Sequence, residues 1–302
     1  MRTWPAYAGL ADSGELRRRV TQALDLLAPC RLCPRGCGVD RSAGERGFCG
    51  AGNRARVASF GPHRGEERPL VGTGGSGTVF FSHCSLGCVF CQNSDISHDG
   101  VGEDVTAEQL AGMMVHVQRM GCHNINLVTP THFLPHILEA LAAAAEMGCH
   151  LPLIYNCSGY ESVEALRLLD GIVDIYMPDA KFATPETAMR LCRAPDYPER
   201  MAAALAEMHR QVGDLVVDAQ GLARRGLLVR HLVMPGQVTE TAAIMDRVAS
   251  LSRDTYVNVM PQYRPSYRAE EVAGISRRVA TAEYQEALAV ARRAGLTRLD
   301  ER

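Results

Sequence analysis

The sequence predicts an α/β fold: a partial (βα)6 TIM-like barrel of parallel strands behind a small Cys-rich N-terminal extension. Three observations predict it. From Thr78 onward, short apolar or β-branched runs alternate six times with helical patterns, which calls for parallel strands joined by helical crossovers. Six units suit an open or partial barrel better than a closed eightfold one. Polar and special-backbone residues follow each of the six runs, at the strand ends where such barrels keep their active sites. Residues 1–70 have a different texture. The expected division is therefore 1–70 for the extension and 71–302 for the barrel with a C-terminal helix.

In chain order, a short helix from about Gly14 to Leu27 comes first, then the segment CRLCPRGCGVDRSAGERGFCGAG, then a Gly-, Pro- and Arg-rich stretch, Gly61 to Pro69. The GTGGSG run at 72–77 precedes a strand and lacks a P-loop lysine, so it reads as a connection and not as a phosphate loop. Strands are expected at Thr78–Ser82, Ile125–Val128, Leu153–Asn156, Val173–Met177, Leu227–Val233 and Tyr256–Met260, with a further short strand at Leu215–Val217. Between them lie helices at about Ala107–Met120, Leu134–Met147, Ser162–Leu169, Pro198–Val212 and Thr239–Ser252. Thr106 with Gln109 forms a capping box at the first of these. A last helix runs from about Thr281 to Ala294 and stops at Gly295.

Composition narrows the function. The 302 residues are 46% apolar and 22% charged, enough to bury a substantial core. The net charge of -2 comes with no long run of either sign, so neither a nucleic-acid nor a membrane partner is expected. The first residues lack the apolar stretch of a signal peptide. ILEALAAAAEMGC carries Glu139 and Glu146 and is too short to span a bilayer. Eleven cysteines without an export signal point to the cytoplasm and to metal ligands over disulfides. Seven fall into two clusters. Cys122, Cys149, Cys157 and Cys192 are isolated and read as small buried apolar residues, with Cys157 at a strand end.

Cys84, Cys88 and Cys91 sit in FFSHCSLGCVFCQN with the spacing C-x3-C-x2-C. Three thiolates on one short loop can hold three irons of a cubane cluster, leaving the fourth iron open to a small molecule. Two rivals stand beside this. The three cysteines would share one face of a helix, although Gly87 and the preceding strand argue against a helix there. A three-thiolate zinc site completed by His83 or His98 is the other. The second cluster, Cys30, Cys33, Cys37 and Cys49, has the spacing C-x2-C-x3-C-x11-C and lies among Gly36, Gly38, Gly44, Gly47 and Gly50. Four thiolates saturate either zinc or a cubane, and the spacing does not separate the two. Unligated thiols or two disulfides are the plainer alternative. Among the scattered histidines only His132 falls at the predicted active edge.

With Phe90 just before the last cysteine and the strand–helix series behind it, this loop resembles the radical S-adenosylmethionine (SAM) superfamily over roughly residues 75 to 265. It is most similar to the pyruvate formate-lyase-activating-enzyme-like branch, and within it to poorly characterised proteins with an N-terminal CxxCPRxC segment. The resemblance implies a [4Fe–4S] cluster and SAM as cofactors. SAM would bind the open iron, and one electron would break its S–C5′ bond to give methionine and a 5′-deoxyadenosyl radical that abstracts a hydrogen. It also implies contacts to SAM. Thr129 and Thr131 stand where the family has a Gly-Gly-Glu-like turn, so hydroxyls and carbonyls would replace a carboxylate. Asn156 and Ser158 would meet the ribose. Asp179 and Lys181, in a sequence like the Asp-Leu-Lys of the activating enzymes, would lie at the SAM carboxylate. Arg230 would point inward from the fifth strand, and NVMPQY stands in the adenine-contacting place. The implied activity is that of an oxidoreductase fed by a low-potential donor, flavodoxin- or ferredoxin-like. Its target would be a glycyl-radical enzyme, another protein or a small molecule. The rival functions are an Fe–S electron carrier without SAM chemistry and a zinc-binding interaction protein.

Overall fold

The computed structural model describes residues 4–236 and 238–300. Nine strands form one sheet: β1 (Ala55–His63), β2 (Ser76–Phe81), β3 (Glu103–Val105), β4 (Ile125–Val128), β5 (Leu153–Cys157), β6 (Ile175–Pro178), β7 (Val216–Val217), β8 (Ala223–Leu232) and β9 (Tyr256–Met260). β2, β4, β5, β6, β8 and β9 run parallel to one another in that order. They are the six strands expected from the sequence. Their residues are buried almost without interruption, as in IYMP and LIYNC, because helices cover one face and a packed interior the other.

The architecture is thus a mixed α/β fold around a mostly parallel sheet. The sheet is not closed: β9 pairs with β8 and β3 with β1, and no pairing joins β9 to β2 or β3 among the described residues. Three antiparallel pairings are added. β1 lies against β2, β3 against β1, and β7 against β8. β1 departs from the sequence reading, which left Gly61 to Pro69 as an irregular stretch. Pro62 lacks an amide hydrogen and is tolerated because β3 pairs only with residues 55–57, so beyond them β1 has a single neighbour. One strand of the sheet therefore comes from the N-terminal 70 residues.

The helices start and stop where local chemistry directs. Thr106 accepts from the Gln109 amide and the Gln109 side chain accepts from the Thr106 amide, opening Ala107–Arg119. Ser162 caps Val163–Arg167. Tyr197–Val212 carries Pro198 in its first turn and ends at Gly213, whose φ of 72° suits glycine. Besides the single turns Arg68–Val71 and Ser94–Ser97, two longer helices were not anticipated. One is Ala6–Asp12, anchored where the Ala6 amide donates to the buried Asp174 carboxylate at 2.9 Å. The other is Pro185–Cys192, capped by Thr184 and ended by Arg193 at φ 52°. No helix among the described residues is long and apolar enough to cross a membrane.

Candidate active site

β2 ends at Phe81, and the chain turns through His83, whose φ of 70° is unusual for a residue with a side chain. The segment that follows is not a helix. Gly87 at φ 67° reverses the chain between Cys84 and Cys88, and a Cβ there would approach the Phe48 ring to 3.1 Å. The three-on-a-helix reading of Cys84, Cys88 and Cys91 is thereby excluded. Instead the three thiols line one cavity of about 300 Å3 at the C-terminal ends of the parallel strands.

Every one of the six parallel strands contributes to that cavity. β2 supplies the cysteine loop, β4 Thr129, β5 Asn156 and Ser158, β6 Asp179 and Lys181, β8 Arg230, and β9 Met260 and Gln262. Thr129 sits at φ 59°, a left-handed conformation that a β-branched residue rarely adopts. Thr131 does not line the cavity. A single 3-10 turn, Thr131–Phe133, rotates it away, and its hydroxyl donates to the buried Glu161 carboxylate at 2.8 Å. His132 also points elsewhere, its Nε2 lying 2.8 Å from the Ser82 carbonyl, and burial lowers its pKa to about 3.

Charge on the cavity wall is organised around Asp179. Its Oδ2 accepts from Lys181 Nζ at 2.6 Å and its Oδ1 from Arg230 Nε at 2.8 Å. Arg230 Nη2 donates to Asn156 Oδ1 at 2.6 Å, and a Glu66 oxygen lies 4.0 Å from Arg230 Nη1. Burial works against ionisation of Asp179, but Arg230 and Lys181 outweigh it and hold its carboxyl below the usual range. The same attraction outweighs burial at the two cations and raises both. Glu66 and Glu67 also act on Arg230, so it is the remaining N–H donors of Lys181 and Arg230, and not a net charge, that suit the wall to an anionic group on a ligand.

Donors already stand on the cysteine sulfurs. The Leu86 amide lies 3.4 Å from Cys84 Sγ and the Ser97 hydroxyl 3.1 Å from Cys91 Sγ. A fourth thiol, Cys192, lies 3.3 Å from Cys88 Sγ. Burial pushes the Cys84 thiol up to about 12 and raises Cys91 as well. At Cys88 the hydrogen bond with Cys192 contributes most to the upward shift, followed by burial. A bound metal is what would ionise such thiols. The zinc rival fares worse. His98 is spent on the Cys88 carbonyl at 3.0 Å and stacks on Tyr267. Among the described residues no three His, Cys, Asp or Glu side chains are grouped as a single ion requires. A cubane spreads its irons apart and does not ask for that convergence.

The N-terminal cysteines are also drawn together. Cys33 is raised chiefly by burial, then by Cys49, Cys30 and Cys37, which are near enough to act on it. The Phe48 amide lies 3.3 Å from Cys37 Sγ, and the amides of Arg35 and Ala51 work against the burial that raises Cys33 and Cys49. A Cβ at Gly47 would fall 2.7 Å from Cys37 Sγ, so only glycine fits beside that sulfur.

A family profile described as "Radical SAM superfamily" matches residues 78–247, more than half of the sequence. The chain belongs to the radical SAM superfamily. A radical SAM protein holds a [4Fe–4S] cluster and SAM, and the donor set around Cys84, Cys88 and Cys91 fits such a cluster. The chain is 33% identical over 288 residues to an uncharacterised protein, MJ0674, of Methanocaldococcus jannaschii, covering 92% of this chain and 78% of that one. Two solved radical SAM structures are similar at a lower level. One is the methyltransferase TsrM from Kitasatospora setae with cobalamin and a [4Fe–4S] cluster bound (TM-score 0.46, 16% identity). The other is the cobalamin-dependent enzyme OxsB with aqua-cobalamin bound (TM-score 0.40, 11% identity). The matched parts cover 69% and 72% of this chain but 41% and 30% of those structures, so the chain spans less than half the length of either.

Two features of this radical SAM site escaped sequence reasoning. Cys192 looked like an isolated core cysteine, because only the fold brings the end of Pro185–Cys192 to Cys88. Glu161 follows the Asn156–Tyr160 turn but packs behind Thr131, where Thr131, Tyr155 and Cys157 all bond its carboxylate.

Proposed function

We propose that this protein cleaves SAM reductively at a [4Fe–4S] cluster held by Cys84, Cys88 and Cys91. The observation that carries the proposal is the meeting of those thiols, in one cavity, with Asn156, Ser158, Asp179, Lys181 and Arg230. When bound, cluster and SAM supply a 5′-deoxyadenosyl radical for hydrogen abstraction. The chain's own residues do the rest. Lys181 and Arg230, steered by Asp179, face the SAM carboxylate with the N–H donors that Asp179 leaves free. Asn156 and Ser158 present the oxygens suited to ribose hydroxyls. Thr129 serves the SAM amino group, while Thr131, turned away onto Glu161, takes no part in binding it. The open parallel sheet acts as a partial barrel whose strand ends shield the reacting atoms from water.

The wider reading is an oxidoreductase of the pyruvate formate-lyase-activating-enzyme-like branch, working on a protein or small-molecule C–H. A low-potential flavodoxin- or ferredoxin-like protein would deliver its electron. Support for the branch is the sequence likeness at Asp179-Ala180-Lys181 and in the CxxCPRxC segment. Cys30, Cys33, Cys37 and Cys49 hold a second metal–thiolate centre. Their spacing allows zinc or Fe–S, and the lack, among the described residues, of three side chains converging on one point favours a cluster there too.

Reconstituting the protein anaerobically with iron and sulfide, reducing it and adding SAM should yield 5′-deoxyadenosine and methionine. Cys88→Ala should abolish both while leaving the fold intact. An intact reduced cluster that leaves SAM uncleaved would point instead to an electron carrier. Protein purified with zinc and no iron would point to a zinc-binding interaction protein.

A further inference from the structure

Arg35 lies inside the N-terminal cysteine segment, between Cys33 and Cys37, yet its side chain is spent elsewhere. Nε donates to the Ser85 carbonyl at 3.1 Å and Nη2 to the Leu86 carbonyl at 3.0 Å, both within the loop from Cys84 to Cys88. Nη2 also donates to the Cys192 carbonyl at 2.7 Å, and Nη1 to the Arg193 carbonyl. Four carbonyls from two separate loops thus converge on one guanidinium. Five N–H groups in a fixed fork can serve such a set, and an ammonium cannot. Two of those carbonyls end the helix Pro185–Cys192, where a cation is favoured by the helix dipole.

The slot for Arg35 is built from both cysteine segments. Phe48, next to Cys49, stacks under the guanidinium at 3.7 Å, and its ring covers Gly87 between Cys84 and Cys88. The Phe48 amide bonds Cys37 Sγ, and Arg35 lies two residues from both Cys33 and Cys37. Fixing Cys33, Cys37 and Cys49 on a metal would therefore fix the backbone at Arg35 and Phe48 together.

We infer that metal binding at Cys30, Cys33, Cys37 and Cys49 is coupled through Arg35 to the order of the Cys84–Cys91 loop. Arg35 is a positioning residue. It holds the Ser85 and Leu86 carbonyls and the end of Pro185–Cys192 in one arrangement, and so sets Cys88 against Cys192. By linkage, ordering of the loop strengthens metal binding at the N-terminal centre to the same degree. The inference rests on the metal–thiolate reading of the N-terminal cysteines and is independent of SAM cleavage.

Hydrogen exchange measured by mass spectrometry tests it on the full chain carrying Cys84→Ala, Cys88→Ala and Cys91→Ala, which leaves the carbonyl contacts of Arg35 in place. The protein is loaded anaerobically with Zn(II) in one arm and with ferrous iron and sulfide in the other. In at least one arm, loading should protect residues 30–50. It should also slow exchange in 84–91 and 190–194 by about tenfold, the worth of one or two net hydrogen bonds. Adding Arg35→Met should keep the protection of 30–50 and of strands β4 to β6 but remove the metal-dependent slowing at 84–91. Arg35→Lys, which keeps the charge, should restore only part of it. A static brace would lose the same protection with and without metal, and that result overturns the coupling. So does slowing at 84–91 that persists in Arg35→Met, or protection of 30–50 in neither arm. If Arg35→Met does not fold, a full response in Arg35→Lys overturns the inference and a weakened one supports it. Failure here leaves the SAM reading standing, because no variant in the test depends on SAM.

Discussion

Glu161 offers a direct measure of how the buried polar layer behind the cavity is built. Its side chain is 2% exposed, and burial raises its pKa to about 7, against hydrogen bonds from Thr131, Tyr155 and Cys157 that pull it down. An acid whose folded pKa lies above its unfolded value binds more protons in the folded state between the two. Stability from this group is therefore full below pH of about 4.5, falls as pH rises toward 7, and is flat above that. A factor of ten in proton affinity is worth roughly 1.4 kcal/mol, so charging Glu161 costs about 3 kcal/mol. Glu161→Gln keeps an acceptor for the Thr131 hydroxyl at 2.8 Å and a polar group for the Tyr155 hydroxyl at 3.1 Å, but cannot charge. Urea unfolding of the two cluster-free proteins should show the variant gaining about 2–3 kcal/mol on the parent between pH 5 and pH 8. Groups common to both, such as Asp174 with a pKa raised to about 6, cancel in the difference. A difference that stays constant across that range would refute the burial argument.

Three further changes have definite expected outcomes. Thr131→Val should lower stability by about 1 kcal/mol, the worth of one buried hydrogen bond, and leave the KM for SAM unchanged, since its hydroxyl faces Glu161; a KM rise of tenfold in steady-state assays would put Thr131 back in the cavity. Asp179→Asn should cost about 2–3 kcal/mol in urea unfolding, because Lys181 and Arg230 lose a charge that each holds within 2.8 Å; a neutral result would mean solvent already screens them. Gly47→Ala should destabilise the protein by about 1–3 kcal/mol, because its Cβ would meet Cys37 Sγ at 2.7 Å. It should also lower metal content at the N-terminal cysteines, and elemental analysis equal to the parent's would sink that expectation.

The parallel strands were legible because strands covered on both faces are written as unbroken apolar runs, as in INLV of β4. The edge structure was not. β1 is half-exposed along much of its length and carries Gly61 and Pro62, so it reads as a loop. β3 has three residues, two of them charged and exposed. Pro185–Cys192 had signals that could have found it, Thr184 as cap and Pro185 at the first position, in a stretch given no element by the sequence reading. In the site, residues one to three places beyond a strand end were readable as facing inward, as for Asp179, Lys181 and Ser158. Thr131 was not, because its direction depends on a 3-10 turn that no local pattern announces. Cys192 and Arg35 act across 104 and about 50 residues of sequence, respectively, and only the fold shows their reach.

Thr129 bears on what this protein has given up for its chemistry. A side chain held at φ 59° carries a standing conformational penalty of about 1–3 kcal/mol, and a branched Cβ sits at the unfavourable end of that range. Glycine would occupy the same bend freely. The tolerated burden puts a hydroxyl-bearing side chain among the residues lining the cavity, where glycine would bring none. Robustness of the turn and usefulness of the turn therefore pull in opposite directions, and substitutions that relax the bend are the wrong route to a hardier catalyst.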